Sequence, residues 1–500
     1  MNQKHKAIVV GAGVGGLSAA INLALRDYSV TVLEANERSG GRANQIRFDG
    51  FTFDTGPSLL NYPWVFDELF RSAGTTLERE LKLKRVDPAI KFFWPDGEEF
   101  QLSSDLTRLS NECRRLDPAD GASLFSFLED ARHKYRISFE RLVTTNVDSP
   151  LKWFAAAGPA NLNKLGLFRS MDSQIGMHFK SRRIREALGS YGMYLGGAPY
   201  DLPGIFSIIP FGELEHGLWL PEGGMYSLVE AMCRVAKRVG VEIRTDCPVE
   251  AIMTEDRRIT GVALQDGGIE RSSIVVSNVD VPTTMTRLIS GKRGAYKYRP
   301  PKMTPGVITY YLAVGRDLNE LGHHTVFLPG NLQVAYRELM HDGVVPADLP
   351  FYASVASNSD RSLAPTGNST LFLLAPVPLH SQLGDTNMIA LTEELKQRMF
   401  NRMRQHGISI SHSDIVNQSS MTPIDWSNAF GLFDGSAFGA AHNLRQIGPF
   451  RPKNISREFS GLFFVGASTT PGTGVPMCVL SGKMVAERVD GWVRKVTATV

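Results

Sequence analysis

Cysteine is scarce in this chain: Cys113, Cys233, Cys247 and Cys478 stand far apart among 500 residues, with no CxxC pair and no histidine at metal-ligand spacing. This excludes a disulfide-stapled scaffold, gives no metal site, and points to free thiols in a reducing compartment. Long apolar runs are missing too. No stretch approaches the about 18 residues that a membrane-spanning helix needs. Neither sign of charge dominates, with 54 Lys+Arg against 51 Asp+Glu. That balance argues for no nucleic-acid partner and is compatible with an anionic membrane surface without requiring one. Internal repeats and low-complexity segments are also lacking. Lys4 and Lys6 precede an apolar stretch like the start of a signal peptide, but glycines interrupt it and an acidic strand end follows. The expectation is a mature chain beginning near Met1 and no secretion. What remains is a composition 43% hydrophobic and 21% charged, that of a soluble globular protein. Its length calls for two or three structural units.

Glycine, by contrast, is concentrated where it matters. Ala7 to Val10 is a short strand of buried type, and Gly11-Ala12-Gly13-Val14-Gly15-Gly16 follows it. Leu17 to Arg26 then continues with helical spacing of Leu17, Ala20, Ile21 and Ala24. This is GxGxxG in its required strand–turn–helix setting, with Gly11 for the tight turn, Gly13 for the pyrophosphate and Gly16 for close helix–strand packing. The next strand, Val30 to Leu33, ends in Glu34, eighteen residues beyond Gly16. A carboxylate there accepts both ribose hydroxyls of an adenosine and repels a 2′-phosphate. Glu37-Arg38-Ser39-Gly40-Gly41-Arg42 comes next, where a glycine pair beside arginines brings guanidinium charge onto a diphosphate.

A second glycine loop lies more than four hundred residues later. Leu462 to Val465 is a buried strand, followed by Gly466-Ala467-Ser468-Thr469-Thr470-Pro471-Gly472-Thr473-Gly474-Val475-Pro476. Gly466 and Ala467 let backbone approach a ligand closely, and Pro476 opens a helix that runs to about Val489. A helix N-terminus offers free N–H groups and a positive dipole end, which suit a group that becomes anionic. The pyrimidine edge of a reduced flavin is such a group, so both ends of the chain are expected to close on one flavin dinucleotide.

With GAGVGG, EANERSGGR, Asp54-Thr55-Gly56-Pro57-Ser58 and VGASTTPGTGVP in place, the chain resembles the carotenoid desaturases of bacterial phytoene-desaturase type. These belong to the superfamily of FAD-dependent amine oxidases and GDP-dissociation inhibitors. Trp219-Leu220-Pro221-Glu222-Gly223-Gly224-Met225 and Ser277-Asn278-Val279-Asp280 extend the likeness through the middle. The family often has Thr-His-Pro-Gly where this chain has Thr469-Thr470-Pro471-Gly472. The resemblance implies non-covalent FAD, held by Gly11, Ala12, Gly13, Gly15, Gly16, Glu34, Ala35, Gly41, Arg42, Gly56, Ser58, Gly466, Ala467, Gly474, Val475 and Pro476. It also implies that the backbone at Val249 meets the adenine.

The implied fold class is α/β (α+β overall), a discontinuous Rossmann-like FAD-binding domain with a mixed-sheet substrate domain and a helical cap. The FAD-binding domain is expected at 1–75, 215–290 and 455–500, the substrate-binding domain at 76–103 and 291–454, and the cap at 104–214. Helix Pro63 to Ala73 and a β-hairpin, Ala89 to Trp94 and Glu98 to Leu102, are expected ahead of the cap, the hairpin at the edge of an antiparallel sheet. In the cap, Leu151-Lys152-Trp153-Phe154-Ala155 and Leu162 to Phe168 mix bulky apolar residues with Lys152, Lys164 and Arg169. Such segments either dip into one membrane leaflet or pack on their own domain.

The implied reaction is hydride transfer from an allylic carbon of a linear polyisoprenoid, phytoene or a shorter diapophytoene-like polyene, to flavin, with loss of a neighbouring proton. Oxygen or a quinone would then take the electrons. The enzyme is expected to be cytoplasmic and peripherally attached to the membrane. No catalytic dyad or triad is visible. Glu222 and His216 are the weak candidates for a base, with Glu213 and Glu215 nearby. His323-His324 is not expected to share a metal, because neighbours on a strand point to opposite faces. Three other readings stay open: an oxidase or saturase of a related isoprenoid, an amine-oxidase or protoporphyrinogen-oxidase type enzyme, and a non-enzymatic prenyl-protein escort or GDP-dissociation-inhibitor-like binder.

Overall fold

A computed structural model describes residues 4–147, 149–289 and 298–498. Met1 and the expected domain boundary between 290 and 291 lie outside the described residues. The cofactor sheet is wholly parallel and has five strands, in the order Leu462–Phe464, Val275–Ser277, Lys6–Val10, Ser29–Leu33, Glu242–Arg244. Four of these strands bury nearly every residue or all of them, as a parallel sheet covered on both faces requires. Its central strand is the N-terminal one, so the first glycine turn opens at the middle of the sheet. Two long helices cover one face. Val14–Ala24 follows the first glycine loop, and Val475–Thr497 follows the second.

These helices cross in close contact at Gly482. A Cβ built there would lie 2.3 Å from Ser18 Oγ and 2.6 Å from the Ala19 nitrogen. Ser18 Oγ also donates to the Val479 carbonyl, at 2.7 Å. A missing side chain on one helix and a small hydroxyl on the other thus join the two termini of the chain.

The second sheet has seven strands in the order Ile415–Met421, Gly306–Val314, Ser369–Val377, Phe351–Ser354, His324–Phe327, Ile90–Phe93, Glu99–Leu102. The expected hairpin forms its edge, with Ile90 opposite Leu102. It joins the remainder through a parallel pairing of Lys91 with Thr325, so the sheet is mixed rather than antiparallel. Every residue of Gly306–Val314 is buried, and the two-residue period assigns them to two sides. Ile308, Tyr310, Leu312 and Val314 pack with Leu371, Leu373 and the helix Met388–Gln405 in a rear core. Val307, Thr309, Phe372 and Leu374 face a cavity on the other side.

The intervening region is helical, with Leu106–Leu116, Asp120–Ile137, Pro150–Ala157, Arg182–Gly189 and Ile208–His216 as its longer members. Asp105 caps the first of these by accepting from the N–H groups of Thr107 and Arg108. Trp153, Ala157, Leu165 and Leu167 bury together, whereas Leu151 and Phe168 are 83% and 81% exposed. Residues 163–168 form turns that follow the short helix Pro159–Leu162.

A candidate flavin and substrate cavity

One cavity of about 770 Å³ lies between the two sheets and the cap. Of the residues anticipated at the cofactor, Gly11, Gly13, Gly15, Glu34, Ala35, Gly41, Arg42, Gly56, Ser58, Val249, Gly466, Ala467, Gly474, Val475 and Pro476 line it. Ala12 and Gly16 lie just behind the wall. The Ala12 N–H donates to Glu34 Oε2 at 2.7 Å, and a Cβ on Gly16 would meet the Gly11 carbonyl at 2.1 Å. Gly11 itself has φ +95°, a conformation open to glycine at no steric cost.

The buried Glu34 carboxylate is aimed by three donors: Ala12 N–H on one oxygen, and the Asn36 N–H and side-chain amide on the other, both at 3.0 Å. Each oxygen keeps acceptor capacity for a hydroxyl. Neither long helix has a side-chain cap, because glycines stand at both caps: Gly13 before the first and Gly474, at φ +105°, before the last. Two sets of free N–H groups therefore open on the same cavity, which fits the pyrophosphate and the ring edge of a flavin dinucleotide.

Asn278 ties the two glycine loops together. Its main-chain N–H bonds the Val10 carbonyl at 2.8 Å and its Nδ2 donates to the Val465 carbonyl at 3.0 Å. A Cβ on Gly13 would fall 2.5 Å from Asn278 Oδ1, and one on Gly15 would fall 2.9 Å from Nδ2. The glycines at 13 and 15 are thus required by a protein neighbour.

Beneath the C-terminal loop sits Arg451, 2% exposed. Its guanidinium donates to the carbonyls of Thr469 (2.7 Å), Ala467 (2.6 Å), Ala440 (3.1 Å) and Ala441 (3.3 Å). Burial pulls its ionisation down to about 9, so it remains cationic at neutral pH. Arg42 donates to the Ala437 carbonyl at 2.6 Å, and its charge opposes the burial that raises the pKa of Asp280. His442, on the cavity wall, is buried and held neutral, its pKa well below the ordinary value through desolvation and then the Arg451 charge. Its Nδ1 lies 3.3 Å from the Leu195 carbonyl and its Nε2 accepts from Thr473 N–H at 3.3 Å, which assigns the proton to Nδ1. Thr470, at the family's histidine position, turns off the cavity to bond Asn454.

The far part of the cavity is bounded by Val326, Leu339, Met340, Phe372 and Leu374, with Tyr62, Tyr191, Tyr194, Tyr336 and Tyr352 among them. The two weak base candidates do not line the cavity. Glu222 is partly exposed beside Lys82 and Lys84, and His216 Nε2 pairs with the Tyr135 hydroxyl at 2.9 Å. Glu215 meets Arg132 at 3.1 Å. Glu213 differs from all three: it is buried behind the tyrosines. The reading of His323 and His324 needs correction, since their rings lie 4.1 Å apart. His323 stands before the strand, where alternation does not hold, and both imidazoles are neutralised by burial. No metal-binding cluster occurs among the described residues.

Sequence reasoning missed Asn278 as a bridge, and it missed Arg451, His442, Gly482 and the tyrosine wall. Gly482 interrupts the apolar face of a helix and Asn278 ends a strand against the glycine turn, so each left a faint local signal. Arg451 and the tyrosines left none.

A family model of flavin-containing amine oxidoreductases matches residues 14–490. A zeta-carotene-forming phytoene desaturase from Myxococcus xanthus is 36% identical, over 98% of this chain and 95% of its own length. A 4,4'-diapolycopene oxygenase from Methylomonas sp is 30% identical, over 98% of each chain. Among solved structures, an oxidoreductase from Methanosarcina mazei aligns with a TM-score of 0.63 across 96% of this chain and 100% of that one. At 18% identity this is a likeness of fold.

Proposed function

The chain belongs to the flavin-containing amine oxidoreductase family, and we infer that it is an FAD-dependent desaturase of a linear carotenoid precursor, phytoene or a shorter diapophytoene-like polyene. One observation carries this reading: a single cavity runs without a partition from Glu34 and the first glycine loop to an apolar chamber floored by Val326, Phe372 and Leu374. The first helix N-terminus and Arg42 would hold the FAD diphosphate, Glu34 the ribose, and Gly466, Ala467 and the last helix N-terminus the ring. FAD bound there, non-covalently, supplies a hydride acceptor. The chain's own contribution is to orient the polyene and exclude water. A hydrocarbon chain gains about 0.8 kcal/mol per buried methylene, so apolar walls suffice to hold it.

Peripheral membrane contact is part of the proposal. Leu151 and Phe168 project into solvent, with Lys152, Lys164 and Arg169 exposed in the same segment. Gly448 packs on Trp153 and brings the half-exposed Phe450 alongside. Apolar side chains rimmed by cations suit an anionic leaflet from which a lipid-like substrate is drawn. No helix among the described residues is long and apolar enough to cross a membrane. A cytoplasmic location against the inner leaflet and oxygen or a quinone as the final acceptor complete the proposal.

Co-expression with pathways making a forty-carbon or a thirty-carbon precursor tests it. New conjugated double bonds in either strain are expected, with the protein recovered in the membrane fraction. Precursors unchanged in both strains would refute desaturation, and full recovery in the soluble fraction would refute membrane contact. The 30% identity to an oxygenase across 98% of both chains favours one second reading, oxidation of a related carotenoid. Carbonyl-bearing pigments in the same extracts would identify it.

A further inference from the structure

Glu213 is the most deeply buried acid at the substrate end. It lies on the helix Ile208–His216 and is 1% exposed. Tyr191 donates its hydroxyl to Oε2 at 2.7 Å, whereas Oε1 has no hydrogen-bond partner among the described residues. Tyr62, Tyr194 and Tyr352 lie close enough that its charge would push their ionisation further up. All four phenols line the cavity. A buried acid with one orphaned oxygen is costly, and a purely structural position would be better filled by a neutral residue.

The backbone around it is shaped to the same end. Tyr62 is held at φ +51°, uncommon for a bulky residue. Its hydroxyl occupies the space that a side chain at Gly212 would fill, 2.0 Å from a Cβ built there. Tyr191 and Tyr194 belong to the turn Ser190–Leu195, whose last carbonyl meets His442, which in turn meets Thr473 of the C-terminal loop. The phenol wall is therefore two contacts from the expected flavin-ring end.

We propose that Glu213, acting through the phenol of Tyr191, accepts the proton released when the substrate's double bond forms. The assignment rests on the desaturase reading above. Forming one C=C bond removes two hydrogens. One leaves as hydride with two electrons, the oxidising half that FAD supplies. The C–H bond on the adjacent carbon then gives its electron pair to the new π bond and its proton to the Tyr191 oxygen. Tyr191 passes its own proton to ionised Glu213, so the phenol is restored and Glu213 ends as a neutral acid that returns the proton to solvent between turnovers.

Desolvation raises the pKa of Glu213 to about 8, against the lowering effect of the Tyr191 bond. The groups facing it from other elements keep their charge state around that pH. Tyr62, Tyr191, Tyr194 and Tyr352 are all raised by burial, and His324, bonded to Tyr352, and His216, packed on Tyr62, are lowered by it. Among these groups Glu213 is the one that changes charge there, and the accepting form is the ionised one. Turnover should therefore rise with pH and level off above about 8.

The test uses the full-length flavoprotein with vesicle-borne precursor, kcat and KM being followed between about pH 6 and 9. In Glu213→Gln, kcat should fall by about 100-fold or more, with KM and flavin content retained and the pH-dependent rise gone. Tyr191→Phe should lose the rise in the same way, and Glu213→Asp should restore part of the activity and the rise. Undiminished kcat in Glu213→Gln, or a flat wild-type profile, would overturn the assignment. If Glu213→Gln failed to hold flavin, Tyr191→Phe and the wild-type profile would decide alone. A wild type that converts no precursor at any pH would instead overturn the desaturase reading.

Discussion

The two ends of the cavity are built on opposite principles. At the cofactor end, conformation and charge do the work: glycines at positive φ, two uncapped helix N-termini, Glu34 aimed by N–H donors, and Arg451 fanned across five carbonyls. At the other end, alternate residues of a sheet present Val307, Phe372 and Leu374 to the cavity while their neighbours build a rear core. A charged dinucleotide must be met by polar atoms at particular distances, so single residues there are hard to exchange. A hydrocarbon asks only for shape and apolar area, and many residue choices meet that demand. The polar groups at this end are phenols with Glu213 behind them, and the role we propose for Glu213 concerns a proton rather than binding.

The contrast can be broken by substitution. The largest effect is expected for Gly13→Val, whose side chain would enter pyrophosphate space and press on Asn278 Oδ1, 2.5 Å from the new Cβ. The purified variant should be colourless, and one that retains wild-type flavin absorbance would refute this placement of the cofactor. Next comes Arg451→Met, which leaves the carbonyls of Ala467 and Thr469 without their buried donor. An orphaned acceptor costs roughly 1–3 kcal/mol, so the C-terminal loop should loosen and FAD affinity fall at least about tenfold. Titration of the apoprotein with FAD would show this, and an unchanged dissociation constant would mean that the loop does not need its clamp. The smallest effect is expected at the other end. Tyr336 is buried with a hydroxyl that has no partner among the described residues. In Tyr336→Phe, thermal stability should hold or rise by less than about 1 kcal/mol, with FAD affinity unaltered. Weakened flavin binding in that variant would show that the two ends are coupled.

Much of the cofactor end was legible because its signals are local. Gly11 to Gly16 sits between a buried strand and a helix of regular apolar spacing within two dozen residues, and the structure has that strand, turn and helix. The second loop was legible for the same reason, with Pro476 in the first turn of the last helix. The hairpin at Ile90–Leu102 was visible from its turn residues, but its parallel partner His324–Phe327 was not, since pairing over such separations leaves no local trace. His323-His324 misled because alternation was applied to a residue that precedes its strand. Glu222 and His216 drew notice as polar residues near a motif. Their neighbour Glu213 has the same residue type as Glu222, and burial alone distinguishes it.

The amino-acid sequence by itself determined the class of cofactor and the strand–turn–helix units at the two glycine loops. Glycine spacing, strand-end acids and helix-opening prolines act over a few residues, and their conformational consequences do not depend on distant contacts. Tertiary structure decided how the termini meet, through Gly482 against Ser18 and Asn278 between the two loops. It also decided which acid is hidden behind the phenol wall. Desolvation and close approach are properties of what surrounds a residue, and around Glu213 and His442 distant segments of the chain supply them, with Tyr62 and Tyr352 near the one and Leu195 against the other.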